Sequence, residues 1–210
     1  MNLLYFSKLL DQLLEVLTNL NSPLVPFLQL GVSIEYIKEE TSTIPLNIPE
    51  ELFIFYGWKN GITNKNIEDY PLSTFELFTL ANPISIEDSI EIHKFHAIDK
   101  NYWENKYFPL FESGLGDYFL QDIDSKSETS GMIMFFSPIS PYFQGIITIA
   151  DSFVSLIETI LSCYKEKIYN FQIDAEGKKY LTTKSHPEFS LWEKHNPKSQ
   201  YRKVLQSFNH

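Results

Sequence analysis

Tyr118-Phe119-Leu120 and Met132-Ile133-Met134-Phe135-Phe136 decide the fold class. Both runs are short, apolar and rich in aromatic and β-branched side chains, which suits a pleated, half-buried surface better than a helix. Working outward, similar runs occupy Leu77 to Leu80, Tyr107 to Phe111, Asp117 to Asp122, Gly131 to Phe136 and Gly145 to Ile149. Ser113-Gly114, Asp124-Ser125 and Ser137-Pro138 supply turn chemistry between them. Strands in sequence joined by short turns predict an antiparallel meander.

Helical patterns flank these runs, so the chain reads as α+β, with helices packed on the sheet. Leu3, Phe6, Leu10, Leu13, Leu14, Leu17 and Leu20 lie three and four apart and lay one apolar stripe over residues 2–20, which Asn21-Ser22-Pro23 ends. A second helix opens near Ser33, with Ile34 and Ile37 inward and Glu35, Lys38 and Glu39 outward. A third begins at Pro49, with Glu50 and Glu51 in its first turn and Asn60-Gly61 as its stop. Ser85 starts a helix through His96, with Glu87 and Asp88 at its positive end. Asp151 is positioned to cap a last long helix through Tyr169, with Phe153, Leu156, Ile157, Ile160 and Leu161 inward. Residues 1–30 read as an N-terminal helical addition, 31–170 as the main domain and 171–210 as a C-terminal extension anchored by Phe189 and Trp192.

The chain has 210 residues, of which 43 % are hydrophobic and 32 are aromatic (17 Phe, 12 Tyr, 3 Trp), enough bulk for a core without staples. Cys163 is the single cysteine, so no internal disulfide or cysteine-based metal framework forms, and a cytoplasmic location is expected. The start of the chain lacks the pattern of a signal peptide, and polar residues interrupt each apolar run before membrane-span length. With 27 Asp+Glu against 17 Lys+Arg the net charge is −10, which argues against nucleic acid as a partner. The acid is concentrated: residues 31–130 hold 18 acidic residues against seven lysines, whereas residues 171–210 carry seven basic against four acidic.

No familiar catalytic pattern occurs. His93 and His96 lie three apart near Glu87, Asp88, Glu91 and Asp99, a spacing that permits an imidazole-carboxylate metal site, but no third ligand has a diagnostic spacing and the pair reads as a solvated helix face. His186 and His195 lie in the polar extension and His210 is terminal. Asp122-x-Asp124 with Glu128 has acids at cation-loop spacing, yet Ser127 and Ile133 stand where an EF-hand needs Gly and Glu, leaving a hairpin turn. Gly114-Leu115-Gly116 precedes a strand and lacks the third glycine of a dinucleotide loop. Cys163 reads as a packed thiol. We expect no catalytic residue, no metal and no cofactor. Glu87, Asp88, Glu91, Asp117, Asp122, Asp124 and Glu128 instead form the candidate partner-binding set, because a field of one sign steers an oppositely charged protein.

Three stretches resemble the SUKH superfamily, the Smi/Knr-type domains. Ile48-Pro49-Glu50-Glu51-Leu52-Phe53-Ile54-Phe55-Tyr56, followed by Asn60-Gly61, is similar to the family's helix that begins Leu-Pro and closes in Asn-Gly. Tyr107-Phe108-Pro109-Leu110 with Gly116-Asp117-Tyr118-Phe119-Leu120 resembles its strand pair carrying a Gly-Asp. Ile149-Ala150-Asp151-Ser152-Phe153-Val154-Ser155-Leu156 resembles its last strand running into the C-terminal helix. Ile48 replaces the usual leucine, Trp58 and Lys59 precede the Asn-Gly, and residues beyond 170 have no counterpart.

The resemblance implies an α+β fold and, for bacterial members, immunity: binding and silencing a protein toxin, often a nuclease, without catalysis. Eukaryotic relatives are regulatory scaffolds linked to cell-wall synthesis, so a scaffold role is the alternative. The expected partner is a basic, nuclease-like toxin, with no nucleic acid and no membrane bound directly.

Overall fold

The leucine stripe folds as helix α1 (Leu3–Asn19), whose first turn is capped by the Asn2 side chain accepting from Tyr5 N at 3.1 Å. The computed structural model describes residues 2–63, 69–138 and 145–208. Phe6, Leu9, Leu10, Leu13 and Leu17 of α1 are buried in the main core. The next segments are β1 (Leu28–Leu30), α2 (Ile34–Glu40), α3 (Glu50–Trp58) and β2 (Lys59–Ile62), with β1 and β2 paired antiparallel. Ser33 caps α2, and Ile37 is its one buried residue. Ile34 is 50 % exposed, contrary to the inward expectation, because a seven-residue helix turns little of its surface to the core and Ile34 falls in the outward first turn.

Asn60-Gly61 is not a helix stop. The chain leaves α3 at Lys59 (φ −148°, ψ 134°), already extended, so Asn60 and Gly61 lie inside β2. Gly61 has φ +71°, and a Cβ there would stand 2.3 Å from Ser85 N, so only glycine allows this approach. The Leu77–Leu80 run is not a strand either. Leu77 and Phe78 are buried, but Ala81 N donates to Phe78 O and Leu80 takes φ +66°, making a tight turn whose apolar side chains point into the core.

The central sheet runs β3 (Asn82–Pro83), β4 (Tyr107–Glu112), β5 (Tyr118–Asp122), β6 (Ile133–Phe136) and β7 (Ile146–Ala150), in that spatial order and antiparallel throughout. Alternation divides its faces. Phe108, Phe119, Ile133, Phe135, Ile147 and Ile149 meet α1, α3 and α5 in the main core, whereas Tyr107, Leu120, Met134 and Phe136 form a smaller cluster with Ala97 and Trp103. A register shift between Pro109 and Phe111 turns both Leu110 and Phe111 inward. Between β3 and β4 lie α4 (Ile86–His93), capped by Ser85, and a π-helical turn, Lys94–Asp99, which replaces the last part of the expected helix.

Helix α5 (Phe153–Lys165) is capped by Ser152 rather than Asp151: the Ser152 and Ser155 side chains each bond the other's backbone N–H. It ends at Lys165, and Tyr169 opens a hairpin, β8 (Tyr169–Ile173) and β9 (Lys179–Thr183). Helices α6 (Ser185–His195) and α7 (Tyr201–Phe208) follow. Phe153 sits at the crossing of the layers, 5.1 Å from Phe6 and 5.0 Å from Phe55 between ring centroids. Trp192 stacks on Tyr201 at 3.6 Å and donates its Nε1–H to Ile149 O. Lys179 Nζ donates to Leu20 O and Asn21 O, fastening β9 to the end of α1.

Candidate functional site

The first turn of α4 is held from three sides. Ser85 Oγ accepts from Asp88 N at 3.1 Å and donates to Asp88 Oδ2 at 2.7 Å. Asn60 Oδ1 accepts from Ile86 N at 2.9 Å, and Asn60 Nδ2 donates to Glu87 Oε2 at 3.0 Å. Ser89 Oγ donates to Ser85 O and lies 2.7 Å from the Tyr56 hydroxyl. Asn60-Gly61 therefore docks the start of α4 onto β2, a role that its turn-forming tendency alone does not disclose.

This docking places α4 beside the end of β4 and opens a groove of about 750 Å³. Asn82, Pro83 and Ile84 line one wall, Asp88 and Glu112 another, and Gly114, Gly116 and Tyr118 the turn beyond, with Tyr70, Leu72 and Phe75 opposite. A smaller pocket of about 150 Å³ shares Ile84, Asp88 and Glu112 and adds Glu91. Asn82 and Glu112 are direct cross-strand partners in β3 and β4, so their side chains leave the sheet on the same face.

The groove is rich in acceptors that the protein leaves unused. Asn82 is only 4 % exposed, yet its Oδ1 accepts no hydrogen bond. Glu112 has neither hydrogen bond nor ion pair among the described residues. Burial, then the Asp88 charge, push its carboxyl above the usual range, and burial followed by Glu112 and Asp117 raises the Tyr118 phenol.

The sequence candidates divide by environment. Glu91 is exposed and Asp88 half-buried. Burial pulls the Glu87 carboxyl up, but hydrogen bonds from Tyr36 and Asn60 outweigh it and hold it below the usual range. Asp117 is buried and accepts from Ser113 Oγ at 2.9 Å, closing the turn after β4. Asp122 is fully buried and accepts from Ser127 and Thr129 hydroxyls, both at 2.6 Å. Neither presents a carboxylate to solvent. Asp124 is half-buried and orders its own loop through Lys126 N, while Glu128 is exposed. Acids adjacent in sequence are also parted in space: Asp117 and Asp122 stand at opposite ends of β5.

Of the histidines, His93 is buried with Nε2 2.8 Å from Asn105 O, and His96 stacks on Trp103 at 4.6 Å. Burial lowers both imidazoles. His195 Nε2 lies 3.2 Å from Ser162 Oγ. The His186 side chain and His210 fall outside the described residues. Cys163 is buried and its thiol is pushed up to about 12, chiefly by burial. Among the described residues no group of three or more His, Cys, Asp or Glu is placed to hold a metal ion, and no helix is long and apolar enough to cross a membrane.

Asn82 and Glu112 were not singled out by sequence reasoning, because the pairing of β3 with β4 joins residues thirty positions apart. A Pro-containing two-residue strand carries too little pattern to be found without the sheet.

A five-stranded antiparallel sheet with helices packed on it and an acidic groove at its β3 end defines an α+β domain of the Smi/Knr architecture. The chain belongs to the SMI1/KNR4 family (SUKH-1), whose model matches residues 31–159, from just before α2 into α5 and including the whole groove. No curated protein matches the chain.

Proposed function

We propose that this chain is an immunity protein that binds a cognate protein toxin and silences it by covering a basic, nuclease-like surface. Family membership supports a protein-binding role, and the observation that carries the charge argument is the set of carboxylates at α4 and the end of β4, which pair with no cation among the described residues. Glu87, Asp88 and Glu91 form the main partner-facing patch and Asp124 and Glu128 a second one, while Asp122 maintains the loop that carries the second patch and Asp117 the turn after β4. In this reading the protein acts in the cytoplasm and turns over no substrate.

Steering by charge is screened over about 8 Å at physiological salt, so association should slow as ionic strength rises. The test is co-expression of the chain with the product of the neighbouring gene. Rescue of growth supports immunity, and charge reversal at exposed Glu91 and Glu128 should slow complex formation without unfolding the protein. Absence of rescue and of complex formation overturns the toxin reading in favour of a regulatory scaffold.

A further inference from the structure

Four residues that carry acceptors line the groove between α4 and β4 or the pocket adjoining it, and they come from separate parts of the chain. Asn82 contributes a 96 % buried carboxamide whose Oδ1 has no donor, and Glu112, its cross-strand neighbour, contributes a carboxylate with no partner among the described residues. Asp88 adds a third acceptor, and Glu91 lines the adjoining pocket. A buried acceptor without a donor is costly and is rarely left so without a ligand. Tyr70, Phe75 and Tyr118 also line the groove, an aromatic wall that suits a flat cation better than a strongly hydrated one. The acids do not gather three at a time around one point, so a compact ion fits the arrangement poorly, whereas a flat group with several diverging N–H donors fits it well.

We propose that the groove is an arginine-binding site, receiving one guanidinium from a loop of the protein partner, with Glu112 and Asp88 as charged acceptors and Asn82 Oδ1 as the neutral one. This rests on the reading of the chain as a partner-binding protein and names the anchor of that contact. Lysine has three donors on a compact ammonium and no flat face, so it satisfies fewer of these acceptors. Strand addition at β3 is disfavoured, since Pro83 has no N–H to donate.

The test is a titration of the isotope-labelled full chain, at low salt, with three capped tripeptides: Gly-Arg-Gly, Gly-Lys-Gly and Gly-citrulline-Gly. Arginine should shift the Asn82 side-chain amide and the backbone amides of residues 113–118 saturably. Citrulline, the same shape without charge, should shift none of them, and lysine should bind more weakly. E112Q should weaken the arginine peptide about tenfold, the value of one charge-assisted hydrogen bond, while E15Q, on the exposed side of α1, leaves it unchanged. The spectrum of E112Q itself reports its fold, and E91Q, on an exposed surface, gives a second and smaller loss. Equal shifts with citrulline, tighter binding of lysine, or arginine shifts that survive E112Q would each overturn the proposal. Growth rescue that is indifferent to E112Q also removes the groove from the contact while leaving the toxin reading intact. Saturable arginine binding in a chain that rescues nothing removes the toxin reading and leaves the groove.

Discussion

Two glutamates of this protein lie in partly or wholly dry surroundings and are treated oppositely. Glu188, on α6, is fully buried and accepts from four hydroxyls: Thr79, Tyr169 and Tyr201 on Oε1 at 3.0, 2.7 and 3.1 Å, and Thr183 on Oε2 at 2.7 Å. These donors come from the loop before β3, the β8–β9 hairpin and α7, so one carboxylate ties the C-terminal segments to the domain. Glu112, at the edge of the groove, receives nothing from the described residues. The protein has hydroxyls enough to satisfy a buried acid and commits them to the C-terminal junction. A carboxylate placed for stability is surrounded with donors, and one left without them is available to a group from outside.

The contrast can be broken most directly at Glu188. E188A should leave four hydroxyls without their acceptor and open a cavity, costing about 4 kcal/mol in urea unfolding. E188Q should cost much less, because burial already favours the neutral form. A small loss in E188A would show the junction to be held by Trp192 and Tyr201 packing alone.

Next in size is a pH effect at Glu76, whose carboxyl is raised from 4.5 to about 7, first by burial and then by the Glu188 charge, against a lowering bond from the Leu80 N–H. Between pH 4.5 and about 7 the folded state holds a proton that the unfolded state has released. Its contribution is therefore complete below 4.5 and lost as pH rises to 7, on the order of 3 kcal/mol at most. Unfolding measured across that window should show E76Q gaining on the parent as pH rises. Comparing the pair cancels the opposite slope from His93 and His96, whose imidazoles are lowered.

Smaller still, E112Q should raise stability at pH 7 by up to about 1 kcal/mol, since it removes an unpaired, partly desolvated charge beside Asp88. Loss of stability in that variant would reveal a donor for Glu112 and erase the contrast with Glu188. E128Q, on an exposed loop, should change the unfolding free energy by less than about 0.5 kcal/mol.

The sequence made the meander legible because β5 and β6 alternate between two apolar faces, and α1 legible because its leucines keep a three-four spacing. Ser85 as a cap was also readable, since Ser followed by two acids is a local signal. What local pattern hid was tertiary. Ser152 and Ser155 cap α5 reciprocally, which displaces the more obvious Asp151. Leu77 to Leu80 is apolar like a strand but forms a turn with its side chains buried. Asp117 and Asp122 look like members of one acidic surface until hydroxyl partners bury them at opposite ends of β5. The candidate groove was the least legible part, for it depends on one cross-strand pair.

Helix α1 has no basic residue in its last turn, and the cation that meets the carbonyls following it is Lys179, about 160 positions later. During synthesis α1 thus emerges with its negative end uncompensated, and it acquires its counter-charge only once the β8–β9 hairpin, about 160 residues later, has been made. That helix is completed only when the hairpin docks, which couples the folding of two elements far apart in the chain.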